Sequence, residues 1–182
     1  MAPYSELLST RSPLIKWLLT LLALTGLFFM LDRIFPFPAH PEYSTIITDN
    51  RGEIIHAYLT SDDKWRMKTD LEEISPLLRK AIVAKEDKYF YYHPGVNPAA
   101  ILRSLVNNLL KGRRTSGAST ITMQVARMLD RKPRTYVNKL VEMFRALQLE
   151  WHYSKEEILQ LYLNLAPYGG NIEGVKTAAL LY

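Results

Sequence analysis

Lys85-Glu86-Asp87-Lys88-Tyr89-Phe90-Tyr91-Tyr92-His93-Pro94-Gly95 sets two adjacent carboxylates at the end of a helical pattern, then four aromatics, a histidine and a Pro-Gly turn. A helix C-terminus favours cations, because the macrodipole leaves partial negative charge there. Carboxylates at this end break a local rule, and such breaks belong to functional or strained sites. A carboxylate held at the wrong dipole end beside aromatic rings is expected to bind its proton more tightly, which suits a general base. A solvated surface, with Lys85 and Lys88 paired to the two acids, explains this stretch equally well.

The flanks define what the stretch connects. Upstream, Ser75-Pro76 is a helix start with proline at the first helical position, and Leu78, Ala81, Ile82 and Lys85 follow on one face. That helix delivers Glu86. Downstream, Asn97-Pro98 repeats the start signal, Ile101, Leu102, Leu105 and Leu109 form an apolar stripe, and Lys111-Gly112 supplies a cationic last turn with a glycine stop. The aromatic segment is thus a loop between two helices. Gly95 is expected where a side chain would obstruct the backbone, and His93 reads as a hydrogen-bonded loop histidine rather than a metal ligand.

From Arg113 to Arg127 a basic, small-residue loop runs into a further helix, with Ser119 or Ser116 expected as its cap. Backbone N–H groups at such a helix start can hold an anion, and Arg127 adds charge. A mobile loop with an ordinary cap fits the same residues. Val137 to Trp151 predicts a long helix with Leu140, Phe144, Leu147 and Trp151 at helical spacing. It places Lys139 and Glu142 on one face, which on local grounds is a surface pair contributing about 0.3 kcal/mol. Ser154-Lys155-Glu156-Glu157 is a capping box for a helix carrying Ile158, Leu161, Tyr162 and Leu165 inward, ending near Ala166-Pro167-Tyr168-Gly169-Gly170. A last helical run starts at Val175 without a stop signal, which predicts a piece of a longer protein.

Before these helices, Leu14 to Leu31 is apolar apart from Lys16 and two threonines, enough to cross a bilayer once. Arg11 and Lys16 on its N-terminal side predict a cytoplasmic N-terminus and an exported remainder. No small-x-small site follows, so a retained signal anchor is expected rather than a cleaved signal peptide. Phe35-Pro36-Phe37-Pro38 reads as a stiff exit. The β-branched runs 45–48 and 53–58 around Asp49-Asn50-Arg51-Gly52 predict a hairpin.

Composition limits the chemistry. The chain has 182 residues and no cysteine, so it can hold one domain with an appendage but neither disulfides nor a thiolate metal site. Its net charge of +5 is concentrated: Arg103 to Arg145 contains ten Lys or Arg against only Asp130 and Glu142. Nucleic acid, anionic headgroups or a diphosphate substrate would suit such a segment, as would a solvated basic surface. Export of the domain argues against nucleic acid.

Glu86-Asp87-x-x-Phe90-x-x-His93-x-Gly95, Gly117-x-Ser119-Thr120-Ile121-Thr122-x-Gln124, Lys139-x-x-Glu142 and Lys155-x-x-Ile158-Leu159-x-x-Tyr162-Leu163-Asn164 resemble, in order, the motifs of the bacterial peptidoglycan glycosyltransferase family (family 51). The likeness covers roughly Asp62 to Tyr182. Ser116 to Gln124 and Arg145-Ala146-Leu147-Gln148-Leu149-Glu150 look like the 1C-type branch of the class A penicillin-binding proteins. The resemblance implies a mainly α, lysozyme-like helical glycosyltransferase domain, truncated at its C-terminus, preceded by a transmembrane helix and a short β-hairpin. The implied division is a cytoplasmic tail over 1–13, a signal anchor over 14–34, linker and hairpin over 35–61, and the domain over 62–182.

It further implies polymerisation of lipid II into glycan strands, with Glu86 on the catalytic base position and Glu142 on the second glutamate. Asp87, Phe90, His93, Ser119, Thr120, Gln124, Arg127, Lys139 and Asn164 fall on positions that shape the cleft or contact substrate. Lipid II, the growing strand, membrane lipids and other cell-wall synthesis proteins are the implied partners. A divalent cation, Mg or Mn, at the diphosphate is compatible with the reaction, and no organic cofactor is expected. Two residues depart from the family pattern: Asn138 stands where arginine is usual, and Met123 where glutamine is usual. Arg134 is the expected substitute for the missing arginine. A lysozyme-like hydrolase or lytic transglycosylase, and an inactive membrane-anchored scaffold, are the alternative readings.

Overall fold

The computed structural model describes residues 13–37, 40–111 and 119–182. The chain divides into two compact units, Met1–Phe37 and Pro38–Tyr182. In the first, α1 (Pro13–Ile34) is a 22-residue helix without an acidic residue in its first turn. Ile15–Ile34 is long and apolar enough to cross a membrane. Arg11 and the rest of the expected tail lie outside the described residues.

The second unit opens with the expected hairpin: β1 (Ile46–Thr48) pairs antiparallel with β2 (Ile54–Ala57). Asp49 organises its turn by accepting from the backbone N–H groups of Arg51 and Glu53 at 2.8 and 2.9 Å. A second, three-stranded sheet was not foreseen. It joins β3 (Trp65–Arg66), β4 (Pro167–Gly169) and β5 (Ile172–Glu173) in the order β3-β5-β4, with β3 parallel to β5. Strands this short carry no alternation that a sequence pattern could expose.

The helices are α2 (Pro76–Glu86), α3 (Pro98–Lys111), α4 (Ile121–Leu129), α5 (Tyr136–His152), α6 (Lys155–Leu165) and α7 (Val175–Leu181). α4 is the central one: Ile121, Thr122, Met123, Val125 and Ala126 are all buried, and it packs on both α5 and α6. Its apolar residues face the helices around it, while Gln124 and Arg127, one turn apart and half-buried, share the other side. Met123, Val96 and Ala146 form a core cluster with Ile101 and Met143 against it. At the start of α6 the expected capping box is present, Ser154 and Glu157 satisfying each other's backbone N–H groups.

One expectation is corrected. The N-cap of α4 is Thr120, not Ser119, and its side chain accepts from Met123 N; Ser116 lies outside the described residues. On α3, Leu102 and Leu109 are 63% and 73% exposed, while Ile101 packs against the cluster. A 3.6-residue period shows that a helix is amphipathic and says nothing of what covers the stripe.

Candidate active site

Glu86 is the last residue of α2 and is exposed. Gln124, on the second turn of α4, donates from Nε2 to Glu86 Oε2 at 3.0 Å. The phenol of Tyr162, from α6, lies on the same side: burial, and next the Glu86 carboxylate, push it up to about 12. Arg127 acts on the same phenol in the opposite direction. The aromatic run does not enclose Glu86. Phe90 is fully buried, whereas Tyr89, Tyr91 and Tyr92 are at least half exposed.

Asp87 resolves the rule broken at the end of α2. Its carboxylate is buried and accepts from His93 Nε2 at 3.0 Å and from the backbone N–H of Ile121 at 3.1 Å. Ile121 opens α4, so the acid sits at that helix's positive end and satisfies one of its orphan donors. The charge is wrong for the helix that ends there and right for the helix it meets. With a proton on Nε2 the ring donates to Asp87, and among the described residues Nδ1 is buried without a partner. Thr120 completes the lock by donating to Gly95 O.

Gly95 stands where a side chain cannot. Its φ is +84°, and a Cβ would lie 2.7 Å from Ala146 O and 2.8 Å from Glu150 Cγ on α5. The loop from Asp87 to Gly95 is thereby pressed between α4 and α5. Asp87, Phe90, His93 and Thr120 are all at most 8% exposed. They hold the loop that follows Glu86 and offer little surface to a ligand. Asn164 is likewise fully buried, accepting from Thr69 N at 2.8 Å and donating to Thr69 O at 2.9 Å, which pins α6 to the chain leaving β3.

A second polar group gathers beside the start of α4. Lys139 Nζ donates to Glu142 Oε1 at 2.6 Å and to Ser119 Oγ at 2.8 Å. The lysine side chain is 40% exposed and the glutamate 11%. This is more than the solvated i,i+3 pair of the local reading, because Ser119 couples it to the helix that carries Gln124. Arg127, half-buried, comes from the last turn of α4. Arg134, the expected replacement of the absent arginine, precedes α5 and is exposed, while Asn138 turns its amide to Pro133 O at 2.8 Å.

Residues 119–124 therefore join Glu86, through Gln124, to Lys139 and Glu142, through Ser119. Two networks escaped sequence reasoning. Arg66, 5% exposed, donates from Nε to Glu173 at 2.8 Å and from Nη2 to Asp62 at 2.9 Å, and Arg131 pairs with the same Glu173. Lys155 with Glu150 forms the second, under the loop of Phe90. The basic stretch holding Arg131 was the only available signal for the first. The residues do not fit a protein-held divalent cation: among the described residues no three His, Asp or Glu converge, and Glu142 is engaged by Lys139.

A family model described as transglycosylase matches residues 51–182. Penicillin-binding protein 1C of Escherichia coli K12 is 42% identical over 152 residues, which are 83% of this chain and 20% of that protein. Penicillin-binding protein 1A of the same organism is 42% identical over 132 residues, 72% of this chain and 15% of that one. Penicillin-binding protein 1F of Bacillus subtilis is 32% identical over 140 residues, 76% and 19% respectively. The chain spans about a fifth of the length of these curated relatives. With nearly three quarters of its residues, including both polar groups about α4, inside one family match, the chain belongs to the transglycosylase family.

Proposed function

We propose that this chain carries the catalytic face of a peptidoglycan glycosyltransferase, which transfers a growing glycan from a lipid-linked diphosphate to the sugar hydroxyl of lipid II. The observation that carries the reading is the pairing of an accessible carboxylate with a cationic group across one helix N-terminus: Glu86 held by Gln124, Lys139 held by Glu142 and Ser119. Glu86 takes the proton of the acceptor hydroxyl as its oxygen attacks the anomeric carbon. The bond to the diphosphate breaks, and Lys139 with Arg127 stabilises the charge that develops on the departing oxygens. One displacement from the opposite face inverts the anomeric centre, so no carboxylate nucleophile is required. Glu142 orients Lys139 rather than touching the sugar. A divalent cation on the diphosphate, Mg or Mn, would add charge stabilisation to that of Lys139 and Arg127.

A membrane-crossing α1 would leave the domain on the outer face of the cytoplasmic membrane, confined with its lipid-linked substrate, which raises the effective concentration of the reactants. The growing strand, membrane lipids and other cell-wall synthesis proteins are the partners this scheme calls for.

The test supplies lipid II to the chain, purified with its membrane helix in detergent, and follows glycan polymer. Glu86→Gln is expected to lower the rate about 10²- to 10⁴-fold, the range for a positioned general base. Polymerisation that survives the substitution removes Glu86 from the role. Release of muropeptides from finished glycan, with no polymer from lipid II, would instead establish a hydrolase.

A further inference from the structure

We propose that Lys155 is a positioning residue, a cationic clamp that holds the loop behind Glu86 in its working place. Lys155 opens α6, yet its ammonium leaves that helix and reaches the loop: Nζ donates to His93 O at 2.7 Å and lies 4.5 Å from the centre of the Phe90 ring. Its counter-charge is Glu150, from α5, whose Oε1 is 2.7 Å away and also accepts from Thr122 Oγ1 at 2.6 Å. The lysine side chain is 19% exposed and the glutamate 11%, so the pair is screened little by solvent. One ammonium therefore ties four elements: α6, α5, α4 through Thr122, and the loop 87–95.

The route to the base is short. Lys155 fixes the His93 carbonyl; the His93 ring pairs with Asp87; Asp87 adjoins Glu86 and holds Ile121 N, three residues before Gln124, which binds Glu86. The same carbonyl accepts from Gly95 N at 3.0 Å, so the turn that brings Gly95 against Ala146 shares the clamp. The ammonium stacks over a fully buried ring, where a cation–π contact is strongest. Removing the ammonium leaves the part-buried Glu150 carboxylate without its counter-charge and the His93 carbonyl with Gly95 N as its remaining donor. The consequence falls on the aim of Glu86 and not on substrate binding, because Lys155 reaches neither Gln124 nor Lys139.

The catalytic part of this proposal rests on Glu86 acting as the base, and the test separates the two claims. Hydrogen exchange of the chain, with its membrane helix in detergent, reads the loop directly, and polymerisation of lipid II reads its effect. Lys155→Met is expected to speed exchange of amides 88–95 at least tenfold while leaving α7 within threefold, and to lower kcat 10- to 100-fold with KM within twofold. Should that variant fail to fold, Lys155→Gln, which keeps a donor but loses the charge, is expected to give the same signs at smaller amplitude. Glu150→Gln leaves the ammonium on His93 O and is expected to keep the loop within threefold of wild type. Unchanged exchange in Lys155→Met, a rise in KM with kcat preserved, or loosening by Glu150→Gln as large as that by Lys155→Met would overturn the clamp. If the loop loosens as expected while wild type makes no polymer, the clamp stands as the holder of the loop and the glycosyltransferase reading falls.

Discussion

Gly95→Ala and Gly52→Ala form a matched pair that measures how tightly the loop behind Glu86 is pressed into the domain. The two glycines have nearly the same φ, +84° and +85°, so an alanine carries nearly the same conformational strain at both, about 1–2 kcal/mol. They differ in what the added methyl meets. At Gly52 nothing lies within 4 Å; at Gly95 the methyl would sit 2.7 Å from Ala146 O and 2.8 Å from Glu150 Cγ. Ala146 is a fully buried residue in the body of α5, and Glu150 is held by Lys155 and Thr122, so neither obstacle withdraws freely. Overpacking of this kind costs about 1–3 kcal/mol beyond the strain. For a unit of this size each kcal/mol lowers the unfolding midpoint by about 2–4 °C. Gly95→Ala should therefore melt about 2–12 °C below Gly52→Ala, by far-ultraviolet circular dichroism on the chain in detergent. A midpoint for Gly95→Ala equal to or above that of Gly52→Ala would refute the close approach of loop and α5. Because Gly95 O also accepts from Thr120, the same substitution should slow polymerisation even where the fold survives.

Thr120→Val preserves shape but removes the cap on Met123 N and the donor to Gly95 O, and should cost about 2 kcal/mol in denaturant titration; a loss below about 0.5 kcal/mol would contradict the lock. Arg66→Met leaves Glu173, 3% exposed, with only Arg131 as counter-charge and should destabilise by about 3–5 kcal/mol, which the same titration reads. Tyr162, held up to about 12 by burial and by Glu86, keeps its proton in the folded chain when an unfolded tyrosine has lost it. The unfolded state then binds fewer protons between pH 10 and 12, so stability falls as pH rises through that window, by at most about 1.4 kcal/mol per unit for this residue. Burial raises Tyr43 and Tyr168 as well, which adds slope of the same sign. Tyr162→Phe should flatten the alkaline slope of the urea midpoint, and an unaltered slope would count against the buried phenol.

Local chemistry made much of the chain legible. Ser75-Pro76, Asn97-Pro98 and the Ser154 capping box start helices at the positions where they are found, because a proline at the first helical position, Asn97 accepting from Ala100 N and the Ser154–Glu157 pair all act within one turn; Ser75 itself makes no side-chain cap bond. The Asp49-to-Gly52 turn fixed its hairpin for the same reason, and the apolar run after Leu14 marked a helix fit to cross a membrane. The family resemblance named Glu86, Gln124, Lys139 and Glu142, and the fold gathers these four about the start of α4. Thr120 was passed over as a cap because Ser116 and Ser119 offer the same hydroxyl, and only the path of the chain into α4 selects among them.

What the sequence alone determined is where helices begin and which residues carry charge, since both are settled by neighbours a few positions away. What only the tertiary structure decided is which charges meet. Asp87 stands 34 residues from the N–H it caps, Lys155 lies 62 from the carbonyl it clamps, and Arg66 is 107 from its glutamate. No local pattern encodes such distances, because each pairing exists only once distant elements pack: α2 and its loop against α4 and α6, and β3 beside β5. Two carboxylates that share one helix end are thereby separated in role: Glu86 stays open to solvent, and Asp87 is committed to the start of the next helix.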